Sequence, residues 1–351
     1  MADSLIIITL IIVASIGVFV GLSGVVDFNT GGNGGLFASA LAAVQTDFST
    51  TVGEFLISFD DFKNTHQALL NPSTPVKVFD IEVYEDTHRI FAATDQGVFL
   101  SRDGGLTWNR INTYANEITD TSLVFALLPT SSNGNEFILS VFSGGVGTVY
   151  KTRDSFFTLE KIVDFDDEAV YDMYQVGNRL YMALSNGQLL QWNLSSGESR
   201  VLTTFSSPAR NLYVPGDGYV YAHLVSGALL RAESFLDDFI RVRVPGGGWF
   251  GFGGAWVTRL AWDEHNTLWV VTKKGLYKSV DAVSFDLITS IPMQDSSIDA
   301  VASHGGLLYV MTDTRMFISS NSGVTWRMLD FSNNFPVSHI YFIGPRTILS
   351  M

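Results

Sequence analysis

The sequence predicts an all-β chain of repeated four-stranded units behind one N-terminal membrane helix, and three observations predict it. A two-strand phrase recurs along the chain, with six intervals between Ile90 and Ile348 that average 43 residues. Glycine (32) and phenylalanine (26) are abundant while charged residues are only 16%, against about 25% in an ordinary soluble domain, which is the balance of a sheet-rich, turn-rich protein. The third is an uncharged apolar run from Leu5 to Val26.

As a helix rising about 1.5 Å per residue, that run is long enough to cross the hydrocarbon core. Ile6, Ile7, Ile8, Leu10, Ile11, Ile12 and Val13 cover every face, so no amphipathic stripe points to a soluble core. The leader Met1-Ala2-Asp3-Ser4 lacks the positive region of a cleaved signal peptide, and the run reads as an uncleaved transmembrane helix over 5–26 after a tail over 1–4. Gly17 and Gly21 form a Gly-x-x-x-Gly pair suited to close packing by another membrane helix, and equally to the ordinary glycine content of such helices. The first basic residue is Lys63, so the positive-inside rule is silent. An extracytoplasmic (periplasmic or extracellular) domain is expected only from the habit of short-tailed N-terminal anchors.

A tether is expected over 27–34, reaching about 27 Å at roughly 3.4 Å per residue and so holding the following domain against the bilayer. That domain is expected over 35–351. Its clearest repeat runs from Arg89 to Trp108, two alternating apolar strands flanking Asp95-Gln96-Gly97, with a tight loop after Ser101. Equivalent runs start at Ile138, Leu180, Val220, Leu268, Leu308 and Ile348. A period near 43 is that of a four-stranded propeller blade, and strands apolar on alternate positions must stack to bury their faces. Residues 336–343 and 346–350 read as two strands of an incomplete seventh copy. Gly35-Leu-Phe-Ala-Ser39 resembles Gly275-Leu-Tyr-Lys-Ser279 and is expected to supply its outer strands, which makes a seven-bladed β-propeller whose last blade is shared between the two ends.

Ser101-Arg-Asp103-Gly-Gly105-Leu-Thr107-Trp108 resembles the Asp-box of BNR-type β-propellers, and Ser319-Ser-Asn321-Ser-Gly323-Val-Thr325-Trp326 is similar with Asn for Asp. Thr152-Arg-Asp154 and Ser279-Val-Asp281 open weaker copies. Physically these are turn staples: the carboxylate accepts backbone N–H groups of its own hairpin, Gly supplies the unusual backbone angle and Trp packs between strands. The resemblance implies a fold, with the boxes at the blade periphery.

The net charge of -14 excludes a nucleic-acid binder that neutralises phosphates, and the absence of cysteine excludes disulfides and thiolate chemistry. The six histidines have no metal-ligand spacing and no EF-hand carboxylate pattern occurs, so no metal or cofactor is expected. Resemblance to sialidase-type and sortilin-type propellers implies, for the former, an arginine triad, a tyrosine nucleophile and a Phe-Arg-Ile-Pro-like segment. That segment is missing; Thr87-His-Arg89-Ile-Phe91 is its nearest counterpart. The carboxylates at Asp60-Asp61, Asp164 to Glu168 and Asp237-Asp238 read as solvated loops.

The segment from Pro245 to Trp256 places Trp249, Phe250, Phe252 and Trp256 on a glycine-rich loop. It reads either as a partner- or lipid-facing apolar patch or as a loop folded over a blade edge. A single-domain, membrane-associated Asp-box propeller resembles the photosystem II stability and assembly factor family, which implies a non-catalytic binding platform for membrane-protein subunits. The expectation is therefore an accessory or assembly subunit with membrane-protein partners and with lipid around residues 5–26. The alternative is an anchored glycoside-binding or glycoside-hydrolysing propeller.

Overall fold

The computed structural model describes residues 54–58, 65–330 apart from 72, 75, 85–86, 133, 247–254, 293–296 and 313–314, and then 339–343 and 346–350. The chain opens with β1 (Glu54–Ser58) and β2 (Thr65–Leu69). Blade 1 follows as β3 (Val78–Tyr84), β4 (Arg89–Thr94), β5 (Gly97–Ser101) and β6 (Asn109–Arg110). Blade 2 is β7 (Leu123–Pro129), β8 (Phe137–Ser143), β9 (Val146–Thr152) and β10 (Glu160–Asp166). Blade 3 is β11 (Val170–Val176), β12 (Arg179–Leu184), β13 (Gln188–Asn193) and β14 (Ser199–Thr204). Blade 4 is β15 (Ala209–Tyr213), β16 (Val220–Leu224), β17 (Leu229–Ala232) and β18 (Ile240–Arg241). Blade 5 is β19 (Val257–Trp262), β20 (Leu268–Thr272), β21 (Gly275–Ser279) and β22 (Asp286–Leu287). Blade 6 is β23 (Ile298–His304), β24 (Leu307–Thr312), β25 (Arg315–Ser319) and β26 (Arg327–Asp330), and β27 (His339–Ile343) and β28 (Arg346–Ser350) end the chain.

Each blade is an antiparallel sheet of four consecutive strands. Its second strand carries the repeated phrase found in the sequence and is buried on both faces, as in β16 and β20, because blades pack on either side of it. Between blades 1 and 2, Phe91, Phe137 and Phe156 are fully buried, the last two stacked with centroids 4.7 Å apart. Removing each such ring from water stabilises the fold by roughly 2–3 kcal/mol. Trp269, Val310 and Phe317 form the corresponding core between blades 5 and 6.

The described fold corrects the expectation of a seven-bladed propeller led by an α-helix. It is an all-β propeller with six complete four-stranded blades, and there is no α-helix among the described residues. No described helix is long and apolar enough to cross a membrane, and residues 5–26, with Gly17 and Gly21, lie outside the described residues. A further four-stranded sheet is not a run of consecutive strands: its order is β2-β1-β28-β27, and it joins the two ends of the chain. Phe55 pairs with Ser350 and Ser58 with Thr347. The strand that meets β28 is thus β1, with β2 beyond it, over 54–69, and not the expected Gly35–Ser39 segment, which lies outside the described residues together with the tether over 27–34. β27 runs beside β23 and β3, so this composite sheet sits between blade 6 and blade 1.

Antiparallel order sorts every connection onto one of two faces. The inner strands β3, β7, β11, β15, β19, β23 and β27 start on an entry face, which also carries the second-to-third-strand hairpins and the links between blades. The third-to-fourth-strand turns lie on the opposite, exit face. Because Phe55 and His339 both pair with Ser350, β1 and β27 both start on the entry face.

Candidate functional site in the central channel

In each of the six complete blades the inner strand breaks register near its start. The shifts fall between Val78 and Asp80, Val124 and Ala126, Val170 and Asp172, Ala209 and Asn211, Val257 and Arg259, and Ile298 and Ala300. A bulge leaves one residue out of the ladder and re-aims its side chain. The residues so released are Phe79, Phe125, Tyr171, Arg210, Thr258 and Asp299. In blades 1 to 3 they touch in sequence, Phe79 to Phe125 at 4.8 Å and Phe125 to Tyr171 at 5.2 Å between centroids, so an aromatic arc lines one side of the channel at its entry end.

In blades 1 and 3 the residue after the bulge reaches the inner strand of the next blade. Asp80 accepts Ile81 N–H at 2.9 Å with one oxygen and Leu127 N–H of blade 2 at 2.8 Å with the other. Asp172 repeats the device between blades 3 and 4, accepting Met173 N–H and Leu212 N–H, both at 2.7 Å. Elsewhere the second strand bridges: Ser140 donates to the Val170 carbonyl at 2.7 Å, and His223 Nε2 lies 3.1 Å from the Val257 carbonyl. These contacts satisfy backbone groups that an inner strand otherwise leaves open, and those made by charged groups are the stronger.

The channel is electrically divided. Asp80, Glu82 and Asp172 belong to blades 1 and 3; Arg210 and Arg259 belong to blades 4 and 5. Burial drives the Asp80 carboxyl well above its usual range despite its two backbone hydrogen bonds. Glu82 is also driven well up, by burial first and then by the charges of Asp80 and Asp172. Burial, reinforced by Arg259, lowers the Arg210 guanidinium to about 10, and burial with the Arg210 charge lowers His223 to about 3. His223 is therefore a neutral structural imidazole at ordinary pH.

The expected turn residues hold their own hairpins. Asp103 accepts the Ser101 hydroxyl at 2.8 Å and the Thr107 N–H and hydroxyl at 2.9 and 2.6 Å, while Gly105 N–H donates to Ser101 Oγ and Trp108 Nε1–H to the Gly105 carbonyl. Asp154 takes the Thr158 N–H and hydroxyl in the same way, and Asn321 takes Thr325 N–H while donating to the Thr325 hydroxyl. Gly323 N–H donates to Ser319 Oγ, and Trp326 Nε1–H reaches Ser290. All these turns lie on the exit face, away from the channel mouth, and hold Leu106, Phe157 and Val324 out to solvent.

Trp256 is 47% exposed and lies on the entry face against Gly227, where a methyl group would come within 2.6 Å of its ring. Trp249, Phe250 and Phe252 lie outside the described residues. Of the carboxylate clusters, Asp60-Asp61 is also outside, and Asp164 pairs with Lys161 at 2.7 Å. Among the described residues no group of three acidic or histidine side chains is placed to hold a metal ion. The described inner strands carry two arginines, Arg210 and Arg259, where a sialidase-like triad needs three. Sequence reasoning missed the channel residues; the repeated aromatic-Asp pair, Phe79-Asp80 and Tyr171-Asp172, is their signal in the sequence.

No family description and no curated protein matches the chain. Among solved structures, YCF48 bound to D1 peptide is similar over 78% of this chain and 98% of its own, at 13% identity and a TM-score of 0.56. YCF48 from Cyanidioschyzon merolae matches over 79% and 98%, at 14% identity and 0.57. The extracellular domain of a one-component system from B. thetaiotaomicron matches over 89% of this chain and 39% of its own, at 15% identity and 0.55. At these identities the likeness is one of fold.

Proposed function

We infer that this chain is a non-catalytic, membrane-anchored propeller that docks protein, an accessory or assembly subunit of a membrane complex. The observation that carries the reading is the ring of unlike side chains which six bulges present at one end of the channel: Phe79, Phe125 and Tyr171 from blades 1 to 3, then Arg210, Thr258 and Asp299 from blades 4 to 6. A surface of that composition suits protein recognition, where aromatic and arginine anchors dominate. Two further observations support it. The half-exposed Trp256 and the start of β1 share the entry face with this ring. The likeness to YCF48, one of whose structures holds a D1 peptide, supports protein binding at the level of fold.

Mild detergent extraction followed by native electrophoresis tests the reading. Stable co-migration of the full chain with other membrane proteins is the expected result. Migration alone, together with turnover of aryl glycosides by the isolated chain, would establish the carbohydrate-active alternative.

A further inference from the structure

We propose that the blade 1 to 3 side of the channel is a recess for a cationic side chain, a lysine ammonium or arginine guanidinium contributed by the docked protein. This rests on the protein-docking reading above and names the chemistry of what is docked.

Asp80 and Glu82 lie two apart on β3 and so share one face of the strand. Asp172 comes from β11, two blades further round, yet its charge bears on both. Residues of blades 1 and 3 meet only across the central channel. In the intervening blade the equivalent position is Ala126, which adds no charge. Above them Phe79, Phe125 and Tyr171 form the aromatic arc. Aromatic walls over a carboxylate floor are the chemistry that holds organic cations.

The second observation is Glu82 itself. It is 9% exposed and makes no hydrogen bond with the described residues, whereas Asp80 and Asp172 spend their oxygens on backbone N–H groups. A carboxyl so little exposed gains from a charged partner, and an inserted cation supplies one.

Melting of the full chain in detergent, with acetyl-Gly-Lys-Gly-amide or acetyl-Gly-Arg-Gly-amide as probe, tests the proposal. The norleucine peptide and matched sodium chloride are the controls. The expected result is a saturable rise in Tm with the cationic peptides alone, because a ligand that binds only the folded state stabilises it. Glu82→Gln should weaken the apparent affinity at least tenfold, and Tyr171→Leu should weaken it independently. An equal rise with norleucine, no rise with any peptide, or undiminished affinity in Glu82→Gln overturns the recess. Co-migration with membrane proteins reads the docking proposal separately: a chain that co-migrates but ignores the peptides keeps the scaffold reading and loses this one.

Discussion

His223 and Glu82 make opposite demands on pH. The imidazole titrates at about 3 in the folded chain, against about 6.5 when unfolded, so the stability it contributes is complete above 6.5 and is lost as the pH falls toward 3. His223→Gln should therefore flatten the fall in Tm between pH 7 and 4.5. Glu82 is displaced upward, so its contribution is complete below the ordinary carboxylate range and is lost as the pH rises through its raised value. Glu82→Gln is expected to raise Tm at pH 8 and to leave it nearly unchanged at pH 4; a lower Tm at pH 8 would contradict the burial argument. Gly147 is constrained by space alone: a methyl there would lie 2.0 Å from the Glu168 carbonyl. Gly147→Ala should cost about 3 kcal/mol in urea unfolding, since two backbones must separate.

At the scale of the element, the third-to-fourth-strand turns of blades 1, 2 and 6 are closed by one device in three spellings, Asp103, Asp154 and Asn321. Asp103→Ala strips acceptors from the Ser101 hydroxyl and from the Thr107 N–H and hydroxyl and should cost about 1–2 kcal/mol. Asp103→Asn should cost less, because Asn321 already closes a turn by donating to its threonine hydroxyl. Phe157, 59% exposed in the blade 2 turn, is the control: Phe157→Ser should change stability by no more than about 0.5 kcal/mol in the same denaturant titration. These turns were legible in the sequence because each is a local hydrogen-bond circuit spanning seven or eight residues. The bulges were not. A single unpaired residue in an apolar strand leaves no mark on period-2 alternation, and only the register with the neighbouring strand reveals it.

At the scale of the molecule, the two ends of the chain share a sheet whose removal would leave edges on both sides. Ending the chain after Phe335 deletes β27 and β28, leaves β1 with β2 alone and uncovers β23 and β3. The truncated chain is expected to aggregate on size-exclusion chromatography and to lose cooperative melting; a monomer with unchanged Tm would show that the composite sheet contributes nothing to closure. The sequence pointed to a joining of the ends but assigned it to Gly35–Ser39, whose glycine-led apolar phrase matches a third strand. Resemblance between short phrases does not determine pairing, which depends on where the rest of the ring leaves an open edge.

The sequence by itself determined the period, the placement of every second strand from β4 to β28, and the turn chemistry at Asp103, Asp154 and Asn321, since each rests on residues near one another along the chain. Tertiary structure alone decided that β1 meets β28, that six bulges line the channel, and that carboxylates of blades 1 and 3 converge there. Their separation along the chain, from Asp80 to Asp172, is bridged only when the blades have packed face to face around an axis, and no local pattern encodes the position of that axis.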